Sequence, residues 1–172
     1  MAFRLKLREP LPQGLKRVFC EQIHSAFGEE DYWLARLAAF GGSKTLDSLV
    51  VDPDGTVTVS VTEDLRSSAL PAMLAKLYRG ELNVRSTEEW RPADDRRVTG
   101  EISVAVTGAP GSGRGQAVLA PSGNASQLTL NAIVEFNVPL VGGRIESYVA
   151  REFADGIREI QRFTTGWISE HV

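Results

Sequence analysis

Between residues 44 and 138 apolar and polar side chains alternate with a period of two, and from 143 to about 171 that pattern gives way to a single helical stripe. A run of half-buried strands followed by one long amphipathic helix has few compact solutions. The strands form a bent antiparallel sheet, and the helix covers its concave face. At 3.6 residues per turn Ile145, Val149, Phe153, Ile160, Phe163 and Trp167 share a stripe, while Arg144, Arg151, Arg158 and Arg162 point away. The arginine row alternates with Asp155 and Glu159 and reads as a solvated face with local ion pairs. Gly156 falls near the middle of the apolar stripe. A glycine there costs about 1 kcal/mol against alanine, so the missing side chain serves either close packing or open space beneath the helix.

Upstream, Phe3, Leu5 and Leu7 alternate with Arg4, Lys6 and Arg8, the period of a first strand that Pro10 and Pro12 end. Pro12 then opens a helix through Leu15, Val18, Phe19 and Ile23, with a break at Gly28. A second helix is expected over 30–40, its acidic start suited to a helix N-terminus and Gly41-Gly42 its stop. Six further strands are read at 44–51, 56–63, 81–90, 97–107, 115–121 and 127–138. Asp52-Pro53-Asp54-Gly55, Pro92-Ala93-Asp94-Asp95 and Ser122-Gly123-Asn124 carry hairpin-turn chemistry between them. An insertion at 66–80 places Leu70, Met73, Leu74 and Leu77 at helical spacing, a short helix or a lid. The fold class is α+β, in the order β-α-α-β6-α, with a small helical insertion.

At 172 residues the chain fits one domain, 1–172, large enough to bury a core without disulfides. A net charge of -3 with no cluster of Lys and Arg argues against nucleic acid as a partner. No stretch has the length of a membrane span, and the alternating N-terminus lacks the apolar run of a secretory signal. The single cysteine, Cys20, excludes an intramolecular disulfide, fits a reducing compartment, and points to a cytoplasmic protein. It is read as a small buried thiol. With only His24 and His171, near opposite ends, no metal and no cofactor are expected. Gly111-Ser112-Gly113-Arg114-Gly115 lacks the helix that a phosphate loop requires and is read as a flexible hairpin loop, with gating of a cavity mouth as its functional alternative.

The element order is that of the START-like, helix-grip superfamily, which includes birch-pollen-allergen-like proteins and the polyketide cyclase/dehydrase and lipid transport families. Gly55 after Asp52-Pro53-Asp54, Leu70-Pro71, Glu89-Trp90, Gly108-Ala109-Pro110 and Val138-Pro139-Leu140-Val141-Gly142-Gly143 occur in an order spanning nearly the whole chain. In these the chain most resembles the actinobacterial family called domain of unknown function 2505. The superfamily resemblance implies a curved seven-stranded antiparallel sheet wrapped around the long C-terminal helix, with a hydrophobic cavity between them. The family supplies no catalytic residues to carry over.

The expected cavity lining is Phe3, Leu5, Val59, Val84, Ser86, Glu88, Ile102, Val104, Leu130, Val134, Phe136, Val149, Phe153 and Gly156, with Trp33 near the entrance beside Tyr32 and Phe40. On the strand 81–90, Leu82, Val84, Ser86, Glu88 and Trp90 share one face. An inward carboxylate at Glu88, beneath an apolar helix, is the weak catalytic candidate: a general acid or base, or a contact for a polar ligand group. The bland alternative makes it a rim residue or one bonded to a neighbouring strand. The leading expectation is a binding or carrier protein whose partner is a small hydrophobic or amphipathic molecule such as a lipid, polyketide or isoprenoid-like compound. The alternatives are a cyclase- or dehydrase-type enzyme using Glu88, which requires a second polar group within reach, and a protein-interaction module with an apolar surface patch.

Overall fold

The computed structural model describes residues 2–10, 18–41, 43–66, 80–136 and 144–171, with side chains for 18–41, 43–66, 80–135, 151 and 153–171. Most of the expected insertion at 66–80 and the entry to the last helix therefore lie outside the described residues. Within them the chain is α+β: β1 (Ala2–Pro10), α1 (Cys20–Phe27), α2 (Glu30–Ala39), β2 (Ser43–Val51), β3 (Val57–Asp64), β4 (Asn83–Ala93), β5 (Arg97–Thr107), β6 (Gly111–Ser122), β7 (Ala125–Phe136) and α3 (Arg144–His171). All pairings are antiparallel, in the order β1-β7-β6-β5-β4-β3-β2. Consecutive strands from β2 to β7 lie side by side, β3 and β4 across the insertion and the others across short hairpin connections, and β1 adds to β7.

Register decides which side chains face the helices. Leu49, Val59, Glu88, Ile102, Gly115, Ala132 and Leu5 occupy one cross-strand row. Because the side-chain period is two, Val57, Trp90, Val98, Ala117, Leu119 and Leu130 share that face, and all are buried. The turn between β2 and β3 is built as expected. Asp52 and Thr56 pair at its base, Asp54 accepts the Thr56 N–H at 2.9 Å, and Gly55 takes the positive φ of 85° that a side chain resists.

Three expectations are corrected. The helix after β1 begins at Cys20, leaving Val18 and Phe19 outside it; the Phe19 N–H donates to the Gln22 side chain at 2.9 Å, which ties down the helix start. The hairpin after β4 turns later than read, at Asp94 to Arg97, with both central residues, Asp95 and Arg96, at φ 60°, as a type I′ turn demands. The glycine-rich segment 111–115 is no loop. It is the first half of β6, bonded to β5 and β7 on both sides. Its inward positions 111, 113 and 115 are all glycine, so the strand carries no hydrophobic alternation there to be read.

The last helix buries a wider face than the expected stripe. Gln161, Thr164, Thr165, Trp167 and Ile168 are buried; the half-buried Phe153, Ile157 and Phe163 pack against the core, Ile160 is half-buried, and the side chains of Ile145 and Val149 lie outside the described residues. Thr164 and Thr165 satisfy their hydroxyls on the carbonyls of Ile160 and Gln161, which lets a helix place polar residues against a core. Arg151 and Arg162 are exposed, and Arg158 pairs with Asp155 at 3.1 Å. No helix among the described residues is long and apolar enough to cross a membrane.

Candidate ligand cavity

The second helix brings Tyr32, Trp33 and Arg36 to one face, since positions three and four apart are neighbours on a helix. Tyr32 and Trp33 are fully buried, and the Trp33 indole N–H donates to the Phe27 carbonyl at 2.7 Å, locking the α1–α2 corner. Thr164 gives its single proton to Ile160 O, so in the 2.7 Å bond between Tyr32 and Thr164 the phenol is the donor. That bond fixes α2 against α3. Arg36 lies over the Trp33 ring, 4.6 Å from its centroid, and reaches β4.

On β4 the inward alternation delivers Ser86, Glu88 and Trp90. Glu88 accepts from Arg36 at 3.3 Å and from the Trp90 indole at 2.9 Å, so both carboxylate oxygens are engaged. The Trp90 ring lies flat over Gly100 of β5, where a Cβ would fall 2.6 Å from the ring. A residue without a side chain thus positions the indole that holds Glu88. Burial pushes the Tyr32 phenol above its ordinary range, outweighing the opposing effect of the Arg36 charge. Burial acts to lower Arg36, but the Glu88 carboxylate, followed by Tyr32, raises it, so the guanidinium remains charged.

Two spaces adjoin this pair. An outer chamber of about 370 Å³ lies between α2, the β2–β4 end of the sheet and α3; Trp33, Arg36, Phe40, Lys44, Val61, Glu63, Val84, Ser86, Glu88, Asp155, Gly156, Glu159 and Ile160 line it with Leu37. A Cβ built on Gly156 would meet no atom of the described residues within 4 Å. The glycine marks open space, not close packing. A smaller inner space of about 80 Å³ is bounded by apolar residues of α1, the sheet and α3, together with Arg36, Glu88, Gln161 and Thr164. Arg36, Glu88 and Ile160 belong to both linings.

Of the residues expected in the lining, Trp33, Val84, Ser86, Glu88 and Gly156 border the outer chamber, and Glu88, Ile102 and Leu130 the inner one. Val59 is buried in solid core, and Phe153 packs against that core. Val104 and Val134 are half-buried beside Gly113 and belong to neither lining, Val104 lying across from Ser86. The side chains of Phe3, Leu5, Phe136 and Val149 lie outside the described residues. Sequence reasoning missed Arg36, Lys44 and Gln161. Arg36 had a readable signal, its spacing of three and four from Trp33 and Tyr32; Gln161 had only its position four after Ile157. Asp155 and Glu159, read as part of a solvated face, stand at the chamber mouth.

A larger depression, about 700 Å³, lies on the outer face of the sheet among Thr87, Glu89, Glu101, Ser103, Arg114 and Gln116. Its residues are the outward alternates of the core rows and are exposed or half-buried, so it is a dished surface where the chamber is walled by helices. The thiol of Cys20 is buried and donates to Ser126, whose hydroxyl donates to the Val18 carbonyl, a structural strap between the start of α1 and β7.

The sequence profile of a family described as "Protein of unknown function (DUF2505)" matches residues 18–168. The chain is 36% identical over 159 residues to "Uncharacterized protein Rv0481c" of Mycobacterium tuberculosis, covering 88% of this chain and 91% of that protein. The values are the same for "Uncharacterized protein Mb0491c" of Mycobacterium bovis. Among solved structures, a START superfamily protein from Mycobacterium smegmatis is similar over 99% of both chains, with a TM-score of 0.52 at 11% identity. Ara h 8.0201 is similar over 98% of both chains, with a TM-score of 0.53 at 9% identity. Identities this low speak to the fold alone.

Proposed function

The chain belongs to the DUF2505 family and has a START-like helix-grip fold, and from that premise we propose that it binds and carries a small hydrophobic or amphipathic molecule, lipid-, polyketide- or isoprenoid-like. In this reading residues 1–172 are one ligand-binding domain, its seven strands wrap the last helix, and the ligand lies in the chamber between α2, the sheet and α3. The observation that carries it is Gly156. A helix-interior glycine is kept at a cost of about 1 kcal/mol where no described residue packs against it, which makes sense if the volume beside it is used. The chamber has the size and the mixed lining of a small-molecule site, apolar walls with a few convergent polar groups. Among the described residues the large exposed apolar side chains, Phe19, Leu34, Val50 and Val51, are divided among three parts of the chain, which favours the cavity over a surface patch.

Native mass spectrometry of freshly purified protein is the test. The expected result is a species heavier than the polypeptide that solvent extraction removes, and that Gly156→Phe, which fills the chamber, retains in much smaller amount. Bare polypeptide mass throughout, with no uptake of hydrophobic probes, would sink the carrier reading.

A cyclase- or dehydrase-type reaction at Glu88 is the second reading, favoured by one observation: Arg36 and the Trp90 indole supply polar partners within hydrogen-bond reach. It stands second because those contacts already engage both oxygens, the geometry of a fixed acceptor. Glu88→Gln separates the two. Under the carrier reading the variant still retains ligand and nothing is converted; under the catalytic one the wild type changes the mass of a bound compound during incubation and the variant does not.

A further inference from the structure

Gln161 is 6% exposed, and its side-chain Nε2 has no hydrogen-bond partner among the described residues. A buried amide donor left unpaired costs on the order of 1–3 kcal/mol, so an unpartnered one calls for an explanation. It borders the inner space, whose other polar side chains are committed: Thr164 donates to Ile160 O, and Arg36 is paired with Glu88. The carboxylate of Glu88 in turn has its cation, so a second carboxylate arriving there would be buried without one. The lining of the outer chamber is also acidic, with Glu63, Glu88, Asp155 and Glu159 against Arg36 and Lys44; the exposed Glu159 and Asp155, the latter paired with Arg158, stand at its mouth. An inner space of about 80 Å³ admits a head of a few atoms and leaves the rest of a ligand in the outer chamber.

Resting on the carrier reading, we propose that the ligand is a neutral amphipath bearing a hydrogen-bond-accepting oxygen, a ketone, aldehyde or ester carbonyl, that enters oxygen first and is received by the Nε2–H of Gln161. The apolar body then lies beside Gly156. Gln161 is thereby the specificity-determining residue: it selects an acceptor over a hydrocarbon, and the paired Glu88 together with the acidic mouth selects a neutral head over an anion.

Three probes with one ring and different heads test this: 2-acetylnaphthalene, 2-ethylnaphthalene and 2-naphthoate, titrated calorimetrically into the full chain and into Gln161→Leu. The leucine keeps the bulk and removes the donor; Gln161→Met serves if the leucine variant does not fold. The expected result is that the acetyl-to-ethyl affinity ratio falls about tenfold in the variant while ethyl binding holds or improves, and that the wild type takes naphthoate more weakly than the ketone. An unchanged ratio, or naphthoate as the tightest probe, overturns the assignment and leaves the carrier reading standing. If none of the three binds the wild type, both fall.

Discussion

Gly100 and Gly156 stand on opposite sides of the interior and lack side chains for opposite reasons. Beneath Trp90 a Cβ at Gly100 would lie 2.6 to 2.9 Å from three ring atoms, whereas a Cβ at Gly156 would touch no described residue within 4 Å. The first glycine is required by an indole that must lie flat to reach Glu88; the second leaves volume. Alanine at the two positions is therefore expected to act with opposite sign. Gly100→Ala overpacks the core and should lower stability by about 1–3 kcal/mol. Gly156→Ala removes backbone freedom from a helix interior and should raise it by about 0.5–1 kcal/mol. Urea midpoints of the two variants decide the matter, and equal signs would show that one of the two environments has been misread.

Between elements, the interior is held by a few polar stitches laid through an aromatic cluster. Phe27, Tyr32, Trp33, Trp90, Phe163 and Trp167 lie with neighbouring ring centroids 4.9 to 5.9 Å apart, joining α1, α2, β4 and α3. Tyr32 adds a directed bond from α2 to Thr164 of α3, and Arg36 one from α2 to β4. Tyr32→Phe keeps the ring and loses the bond, at a cost of about 1 kcal/mol at neutral pH. The phenol also sets an alkaline limit. Its folded pKa is raised, so its contribution is complete below the unfolded value, about 10, and is lost as pH rises through the folded one, because the unfolded chain releases the proton first. Urea midpoints of the wild type should fall above about pH 10, and more steeply than those of Tyr32→Phe; parallel slopes would refute the role given to this hydroxyl.

For the whole molecule, one buried cluster draws residues from α1, α2, α3 and the sheet, so unfolding is expected to be a single cooperative transition. Thermal melts followed by far-ultraviolet dichroism and by the fluorescence of Trp33, Trp90 and Trp167 should coincide, and two resolved steps would divide what is proposed as one domain. The α+β class, the antiparallel meander and the long last helix were legible in the chain, because periods of two and 3.6 are written locally. So was the common face of Leu82, Val84, Ser86, Glu88 and Trp90, which strand alternation fixes. The first half of β6 was not, since glycines at 111, 113 and 115 erase the alternation that identifies a strand. On α3 the inward Phe153, Phe163 and Trp167 were legible, but Gln161 and Thr164 were not, because hydrophobicity alone assigns them to solvent, while the helix's own carbonyls and Tyr32 satisfy the threonine and make its burial tolerable. By itself, then, the sequence determined the order of the elements, apart from the first half of β6, and which residues of a strand share a face. Only the tertiary structure decided that Arg36 of one helix meets Glu88 of one strand, that Gly156 opens on space, and that Gln161 is left with a donor to give, because each of these is a relation between segments distant in the chain.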